Sequence, residues 1–338
     1  MGVSYMNLSW FATINPNWIA AIVGIVVAFL LTPTVRVLAT RMGVVAQPGG
    51  RRVHTRATPM LGGLAIFGGF FVALIAAMIF DALVRHRGLI LESQHTGILV
   101  GGAFMAVIGI IDDKYELPGW AQALSILVGG GILVLFGVRI AWFTNPFKGG
   151  VPQPLGWYFG IPLTFVWVLM VTKAVDCMDG LDGLAAGISA IAAATLMAMA
   201  IASGYRFGMY AAMSAALLGA CIGFLRYNYP PAKIFMGTVG AQFLGFTLAG
   251  ISIAGAFKIA TLVALAAPVL LMGVPLLDTS FVVFRRVMTG RKIHEADTTH
   301  LHHRLVNKGL SHRQVIWFIY ALTGATCALS YLLFIYAK

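Results

Sequence analysis

Ten long apolar runs constrain the fold of this chain more than any other feature of its sequence. Most of them approach the ~20 apolar residues that a helix needs to cross a bilayer, and only 10% of all residues are charged. The sequence therefore predicts an all-α, polytopic integral membrane protein with about ten transmembrane helices in a single domain over residues 1–338. The runs lie at roughly 18–38, 60–80, 96–111, 121–138, 158–172, 184–203, 208–225, 240–254, 259–284 and 315–336.

Charged residues are distributed unevenly between the two faces of such a bundle. The five connections on one face are numbered first to fifth in chain order. Together with Arg36 at a helix end, they hold 16 of the 23 Lys and Arg residues and eight of the eleven Asp and Glu residues. The positive-inside rule makes this face cytoplasmic and places both termini outside the cell's inner (plasma) membrane. Residues 1–17 contain no Lys or Arg, which argues against a cleaved signal peptide. The five connections lie near 39–59, 112–120, 173–183, 226–239 and 285–314.

The net charge of +12 has two physical explanations in a membrane protein. Basic loops bind anionic lipid headgroups, and the same loops suit phosphorylated substrates. No nucleic acid is therefore expected as a partner.

The third connection contains three aspartates within seven residues, Asp176, Asp179 and Asp182. Carboxylates are costly near hydrocarbon, so such a cluster indicates a site for an ion, a proton or a substrate. If the segment is helical, Asp179 and Asp182 share a face, and the same spacing allows Lys173 to pair with Asp176. The alternative is a Gly-Asp turn that only links two spans.

The second connection begins with two adjacent carboxylates, Asp112 and Asp113. They repel one another at a helix end, which is tolerable when a divalent cation lies between them. The alternative is a solvated helix terminus with Lys114 as the counter-ion.

The remaining three connections contain basic or amide side chains that suit parts of a phosphorylated substrate. Basic side chains at Arg51, Arg52, His54 and Arg56 precede the pair Gly62-Gly63 and suit a phosphate or diphosphate, although taken alone they are better explained by contact with anionic lipid. The fifth connection contains His300, His302, His303 and Arg304, whose imidazolium and guanidinium groups also hold diphosphates. Asn228, in the fourth connection, offers amide hydrogen bonds for a base or an N-acetyl group.

Taken together and in this order, these segments resemble the polyprenyl-phosphate N-acetylhexosamine-1-phosphate transferases, a family of the glycosyltransferase 4 type. The resemblance implies transfer of N-acetylhexosamine 1-phosphate from a UDP-sugar to undecaprenyl (polyprenyl) phosphate, with release of UMP and with Mg²⁺ or Mn²⁺ as cofactor. It makes the domain catalytic, at the first membrane step of a cell-wall or surface glycan. The matching pieces are Arg51-Arg52-x-His54 with Pro59–Gly63, Asp112–Leu117, Asp179–Ala185, Ile234–Gly237 and His300–Leu305.

The resemblance also assigns roles to residues at matching positions. Asp112 would be the base that deprotonates the lipid phosphate, and Asp113 and Asp179 would complete the catalytic set. The same three carboxylates would hold the metal. Asp176 does not follow from the resemblance, and its proximity in the sequence makes it a hypothetical additional ligand. UDP-N-acetylhexosamine, most simply UDP-N-acetylglucosamine, and polyprenyl phosphate are the partners, and a homodimer is left open. The substrate-binding residues would be Arg52, His54, Asp182, Asn228, His300, His302, His303 and Arg304.

The chain departs in four segments from the pattern that the resemblance leads one to expect. Lys173 and Asp176 stand where two asparagines are usual, and Thr238 stands where a metal-binding aspartate is usual. Ala46 replaces another expected aspartate, and Thr298-Thr299 replace an expected basic residue. These departures leave open a rewired transferase, a weakened one, or an inactive relative that binds or regulates. A secondary transporter is less favoured, because the carboxylates lie at helix ends and no repeated halves are visible.

Overall fold

Helices account for nearly all regular structure in this computed structural model, which describes residues 15–46, 57–85, 90–144, 152–204, 208–255, 272–288 and 301–336. The helices are α1 (Pro16–Arg41), α2 (Gly63–Phe80, continued by a π-helical turn, Asp81–Arg85), α3 (Ser93–Tyr115), α4 (Gly119–Leu135), α5 (Trp157–Met178), α6 (Leu184–Ala202), α7 (Met209–Asn228), α8 (Gly237–Ala254), α9 (Gly273–Met288), α10 (Leu301–Asn307) and α11 (His312–Tyr336). Two short antiparallel hairpins pair β1 (Val45–Ala46) with β2 (Thr58–Pro59) and β3 (Trp142–Thr144) with β4 (Pro152–Pro154).

Eight of the described helices are long and apolar enough to cross a membrane, which confirms the prediction of an all-α polytopic membrane protein. Of the other two predicted spans, α4 is a shorter apolar helix, and the span at 259–284 is described only from residue 272. Several helices are longer than the apolar runs that predicted them. The run at 96–111, for example, becomes a helix of 23 residues, because the helix begins at Ser93 and continues through Asp112 and Asp113 to Tyr115.

Consecutive helices run in opposite directions, so the described parts of the five charged connections meet at one end of the bundle. There α3, α5 and α7 end close to the points where α4, α6 and α8 begin. The first connection reaches the same end, where the Gly62 N–H donates to the Phe235 carbonyl of the connection between α7 and α8 at 2.9 Å. At the opposite end, Met199 near the end of α6 packs against Phe334 of α11. The described chain therefore finishes away from the end that carries the carboxylates.

Helix α8 lies at the centre of the bundle and is buried along nearly its whole length. Small residues let three neighbouring backbones approach it closely, as is typical of helix packing in membranes. A Cβ atom at Gly63 of α2 would overlap the α8 backbone, and so would one at Gly109 of α3. A Cβ atom at Gly245 of α8 would in turn crowd the Thr172 backbone of α5. These contacts fix the ends of α3 and α5 relative to the beginning of α8.

Candidate active site

Asp112 lies at the end of α3, where its carboxylate closes the turn into α4. Oδ1 accepts hydrogen bonds from the Leu117 backbone N–H and the Gln122 side-chain amide, both at 2.9 Å. Glu116 makes this turn with a left-handed backbone, at a φ of 51°. The other oxygen, Oδ2, accepts no hydrogen bond from the described residues. The carboxylate is thus held in place through one oxygen and leaves the second open to a proton donor.

Asp113 holds the N-terminus of α8. Its two carboxylate oxygens accept the backbone N–H groups of Thr238 at 2.7 Å and Val239 at 3.2 Å. Such first-turn N–H groups have no partner within their own helix, and the positive end of the helix dipole favours an anion. Gly237 allows this close approach, because its φ is +71° and a Cβ atom there would overlap Asp113 Oδ2. Thr238 therefore contributes a backbone donor to this site and no additional negative charge.

Lys173 and Asp176, on the last turns of α5, form the ion pair that their spacing predicts. Lys173 Nζ lies 2.8 Å from Asp176 Oδ2. The same ammonium donates to Gln122 Oε1 at 2.5 Å. The Asp176 carboxylate therefore already has a cationic partner in the protein, and its assignment as a metal ligand stays a prediction.

The segment between α5 and α6 is a turn and not a helix. Helix α5 ends at Met178, and α6 begins at Leu184 after Gly183, whose φ is 76°. The helical face that Asp179 and Asp182 would share therefore does not form here. Gly180 and Gly183 interrupt the helix, because glycine loses the most conformational freedom there and accepts left-handed backbone. The carboxylates are instead presented by the turn itself.

Asp179 is the carboxylate with the least support from the protein. It is partly buried, and its side chain accepts no hydrogen bond within the described part of the chain. Burial raises the pKa of Asp179 well above its ordinary value. Three negative neighbours add to the rise, namely Asp176, Asp113 and Asp182. An anion in these surroundings lacks positive charge, which a bound cation would supply.

Two polar side chains tie the turn to the connection between α7 and α8. Asp182 Oδ2 accepts the Ala232 N–H at 2.8 Å. The Asn228 amide accepts the Gly183 N–H at 2.9 Å and donates to the Ile234 carbonyl at 3.0 Å. Both side chains are buried. They position the backbone of the site, and their predicted contacts with substrate stay predictions.

Helix α11 supports the same turn from the side. Tyr320 donates its hydroxyl proton to the Gly183 carbonyl at 2.6 Å. The Arg313 guanidinium donates to the Pro230 carbonyl at 3.3 Å. The Tyr320 contact holds the turn itself, and the Arg313 contact holds the neighbouring connection between α7 and α8.

Helix α10 brings the histidine-rich segment next to the turn. Leu301 and Leu305 pack on an apolar cluster that includes residues of the turn. Asp278 Oδ1 accepts the Leu301 N–H at 2.7 Å and so anchors the start of the helix. The exposed Arg304 places its guanidinium 5.5 Å from the centre of the Phe281 ring. The fifth connection therefore lies beside the third, as expected for one shared site.

The first connection is joined to the fourth by backbone hydrogen bonds. The Gly62 and Gly63 N–H groups donate to the carbonyls of Phe235 at 2.9 Å and Met236 at 2.8 Å. The Phe235 N–H donates in turn to the Pro59 carbonyl at 2.9 Å. The two matching motifs, Pro59–Gly63 and Ile234–Gly237, are thus neighbours in space.

Most of the predicted positive charge lies outside the described residues. This applies to Arg52, His54 and His300, and to the side chains of His302 and His303. Their predicted contacts with substrate phosphates stay predictions.

Gln122 is a site residue that the sequence analysis missed. It links Asp112 of α3 to Lys173 of α5 from the first turn of α4. The available signal was a lone amide near the start of an apolar run, since polar side chains in such runs mark functional sites.

Known proteins are similar in sequence to this chain over most of its length. The model of glycosyl transferase family 4 matches residues 95–256. A probable undecaprenyl-phosphate N-acetylglucosaminyl 1-phosphate transferase of Bacillus subtilis is 37% identical over 304 residues, covering 90% of this chain and 81% of the relative. The chain belongs to glycosyl transferase family 4. It is a phosphoglycosyl transferase.

Two further relatives of this family 4 enzyme widen the comparison. A decaprenyl-phosphate N-acetylglucosaminephosphotransferase of Mycobacterium tuberculosis is 36% identical over 324 residues, covering 90% of this chain and 80% of the relative. A phospho-N-acetylmuramoyl-pentapeptide-transferase of Mycolicibacterium gilvum is 32% identical over 358 residues, covering 94% of this chain and 96% of the relative.

The donor chemistry of the site fits a magnesium ion that is shared with substrate. Among the described residues, no three His, Cys, Asp or Glu side chains are grouped so as to hold a metal by themselves. Magnesium, however, usually binds through one or two carboxylates plus substrate phosphates. Asp179 meets that requirement, since its carboxylate has no protein donor and faces other negative charges.

Proposed function

We propose that this family 4 enzyme transfers N-acetylglucosamine 1-phosphate from UDP-N-acetylglucosamine to undecaprenyl phosphate and releases UMP. The names of two relatives support the sugar phosphate and the polyprenyl acceptor. The form His-Leu-His-His-Arg-Leu at His300–Leu305 resembles the branch of the family that uses UDP-N-acetylglucosamine, which supports the same sugar. The product would be the first lipid-linked intermediate of a cell-wall or surface glycan.

The observation that carries the proposal is the environment of Asp112. A general base must be held firmly while it keeps an oxygen available for the proton. Asp112 meets both conditions, because Leu117 and Gln122 hold Oδ1 while Oδ2 has no donor among the described residues. The other four connections contain further carboxylates and basic residues, to which the resemblance assigns the metal and the phosphates.

The reaction is a direct displacement at phosphorus. Asp112 Oδ2 takes the proton from the phosphate of the acceptor, and a phosphate oxygen attacks the β-phosphorus of the donor. The new P–O bond forms while the bond from that phosphorus to the bridging oxygen breaks, and UMP leaves with the electron pair. Cationic side chains at this end of the bundle, including Lys173 and Arg304, stabilise charge on the phosphates.

Mg²⁺ or Mn²⁺ would be held by Asp179, with Asp113 beside it and Asp112 and Asp176 as further candidate ligands. The ion would screen the charge of the diphosphate and orient it. Thr238 supplies no carboxylate, so we place the metal on the side of Asp179 rather than at the start of α8.

The carboxylate end of the bundle faces the cytoplasm in this proposal, and both termini lie outside. The basic residues of the five connections support this orientation. Cysteines introduced at the exposed Glu116 and Tyr336 test it with a thiol reagent that does not cross membranes. Labelling of intact cells at Tyr336→Cys but not at Glu116→Cys is expected, and the reverse pattern would contradict the orientation.

The activity is tested with UDP-N-acetylglucosamine that carries one label in the sugar and another in the β-phosphate. The purified chain is incubated with this donor, undecaprenyl phosphate and Mg²⁺ or Mn²⁺, and lipid-soluble label is counted. Equal transfer of both labels is expected, whereas transfer of the sugar label alone indicates an ordinary glycosyl transfer. Background counts with every UDP-N-acetylhexosamine tried would overturn the proposal in favour of a binding or regulatory protein.

A further inference from the structure

Lys173 places a positive charge inside the cluster of carboxylates. Its side chain is only 26% exposed, and Nζ donates to Asp176 Oδ2 at 2.8 Å and to Gln122 Oε1 at 2.5 Å. A lysine ammonium carries three N–H donors. No acceptor for the third lies within the part of the chain that the structure describes. One donor of this partly buried cation therefore has no protein acceptor among the described residues.

Gln122 connects this cation to Asp112. Its Oε1 accepts from Lys173, and its Nε2 donates to Asp112 Oδ1 at 2.9 Å and to the Leu117 carbonyl at 3.2 Å. The orientation of the amide is determined by these partners, because a flipped amide would direct its oxygen at a carboxylate and its NH₂ group at an ammonium. The cation and the carboxylate are thus held at a fixed separation by one side chain.

The position of these three hydrogen-bonded side chains suits a phosphate group. Lys173, Gln122 and Asp112 come from three different helices, α5, α4 and α3, and all three lie at the end of the bundle where the connections meet. An ammonium that is removed from bulk water and fixed by two hydrogen bonds binds an anion with little loss of side-chain freedom. A structural ion pair between Lys173 and Asp176 alone would not require the bond to Gln122.

We propose that Lys173 is a substrate-binding residue whose third N–H donates to a phosphate oxygen, and that Gln122 is the positioning residue that sets this cation beside Asp112. The inference rests on the proposed function for the identity of the phosphate, which belongs either to the UDP-sugar or to the polyprenyl phosphate. The binding site itself requires only a phosphate ester.

Equilibrium binding distinguishes this site from a structural ion pair without depending on turnover. Calorimetric titration of the purified chain with UDP-N-acetylglucosamine, and separately with farnesyl phosphate, is carried out in EDTA. Lys173→Met weakens one of the two dissociation constants by about 10- to 100-fold, as expected for a charge-assisted hydrogen bond. The ligand that is affected identifies which substrate supplies the phosphate.

Two variants serve as references for this titration. Lys114→Met removes the same charge from an exposed lysine that directly follows Asp113 but forms no hydrogen bond to the carboxylates of the described residues, and it leaves both dissociation constants within about twofold. Lys173→Arg keeps the charge and recovers part of the lost affinity. If Lys173→Met does not fold, the double variant Lys173→Met with Asp176→Asn removes both charges of the pair and replaces it in the comparison.

Gln122→Glu separates the two hydrogen bonds of the positioning residue. It keeps an oxygen for Lys173 but loses the N–H that binds Asp112. The added carboxylate lies against the Lys173 ammonium and repels a phosphate, so the dissociation constant that Lys173→Met weakens is weakened here too, and kcat falls about tenfold or more because the base is displaced. Unchanged affinity for that ligand would contradict the role of Gln122 in positioning the cation.

The outcomes separate this inference from the proposed function. Weakened binding in Lys173→Met supports the inference even if the unchanged chain transfers no sugar phosphate. Equal affinities of Lys173→Met and the unchanged chain for both ligands overturn it even if transfer is observed. Absence of binding of either ligand to the unchanged chain also overturns it.

Discussion

Two regions that carry carboxylates meet at one end of the bundle, and the protein treats them differently. At the end of α3, Asp112 and Asp113 are held by hydrogen bonds from α4 and α8. In the turn after α5, the backbone is held by neighbouring elements, while Asp179 itself receives no donor within the described residues. The first region is therefore a rigid support, and the second presents a negative charge that lacks a partner.

This difference separates two kinds of aspartate that look alike in the sequence. An aspartate whose oxygens accept backbone N–H groups stabilises the fold, since losing it leaves buried donors without partners. An aspartate surrounded by like charges destabilises the fold and is explained by a ligand. Asp112 combines both properties. Its Oδ1 accepts two hydrogen bonds that hold the turn, and its Oδ2 has no donor among the described residues.

The largest effect is expected for Asp112→Asn. The amide keeps an oxygen for Leu117 and Gln122 but cannot take a proton at the second position. The transfer rate falls by about 100- to 10,000-fold, with little change in the midpoint of thermal unfolding. The rate is measured with doubly labelled donor, and Glu116→Gln, an exposed change in the same connection, serves as the control. A rate within tenfold of the unchanged chain contradicts the role of Asp112 as base.

Gly237→Ala tests the rigid support. Because a Cβ atom would overlap Asp113 Oδ2 and the φ of +71° is left-handed, the change displaces Asp113 from the start of α8. The free energy of unfolding falls by roughly 1–3 kcal/mol, and activity falls with it. Gly131→Ala is the matched control, since no atom lies within 4 Å of its added Cβ. Equal denaturation midpoints of the two variants would show that Gly237 is not needed for the contact between Asp113 and the start of α8.

Asn228→Ala tests how the turn is held. Two backbone groups, the Gly183 N–H and the Ile234 carbonyl, lose their partner in a buried position. The free energy of unfolding falls by about 1–3 kcal/mol, as measured by denaturation in detergent. Asn307→Ala, at an exposed position of α10, is expected to be neutral. A stable Asn228→Ala variant with weakened UMP binding would instead support the predicted contact with uridine.

Tyr320→Phe gives the smallest effect. It removes one hydroxyl that donates to the Gly183 carbonyl at 2.6 Å and keeps the aromatic ring. The free energy of unfolding falls by about 0.5–1.5 kcal/mol, while Tyr336→Phe, at a position that is 94% exposed, changes nothing. A neutral Tyr320→Phe would mean that the turn is held by Asn228 and Asp182 alone.

The sequence predicted the membrane fold and the motif residues, because apolar runs and charges at their ends are local signals. It also predicted the pair of Lys173 and Asp176, whose spacing along one helix is sufficient. It left open whether the segment around Asp179 and Asp182 is a helix or a turn. The structure shows a turn, because the effect of Gly180 and Gly183 outweighs the helical spacing.

Other features of the site depend on partners that are distant in the sequence. Gln122 lies 51 residues from Lys173, and Thr238 lies 125 residues from Asp113. No local pattern shows that a threonine at this position donates its backbone N–H to a carboxylate of another helix. The division between supported and unsupported aspartates therefore required the structure.

The most direct test of this division is to compare Asp179→Asn with Asp113→Asn in two assays on the same preparations. The account predicts that Asp179→Asn lowers the transfer rate by roughly 100-fold or more, while its thermal midpoint in EDTA is unchanged or raised because repulsion is removed. Asp113→Asn is predicted to lower the midpoint, because α8 loses its anionic cap. An active Asp179→Asn variant, or one whose midpoint falls as far as that of Asp113→Asn, would contradict the account.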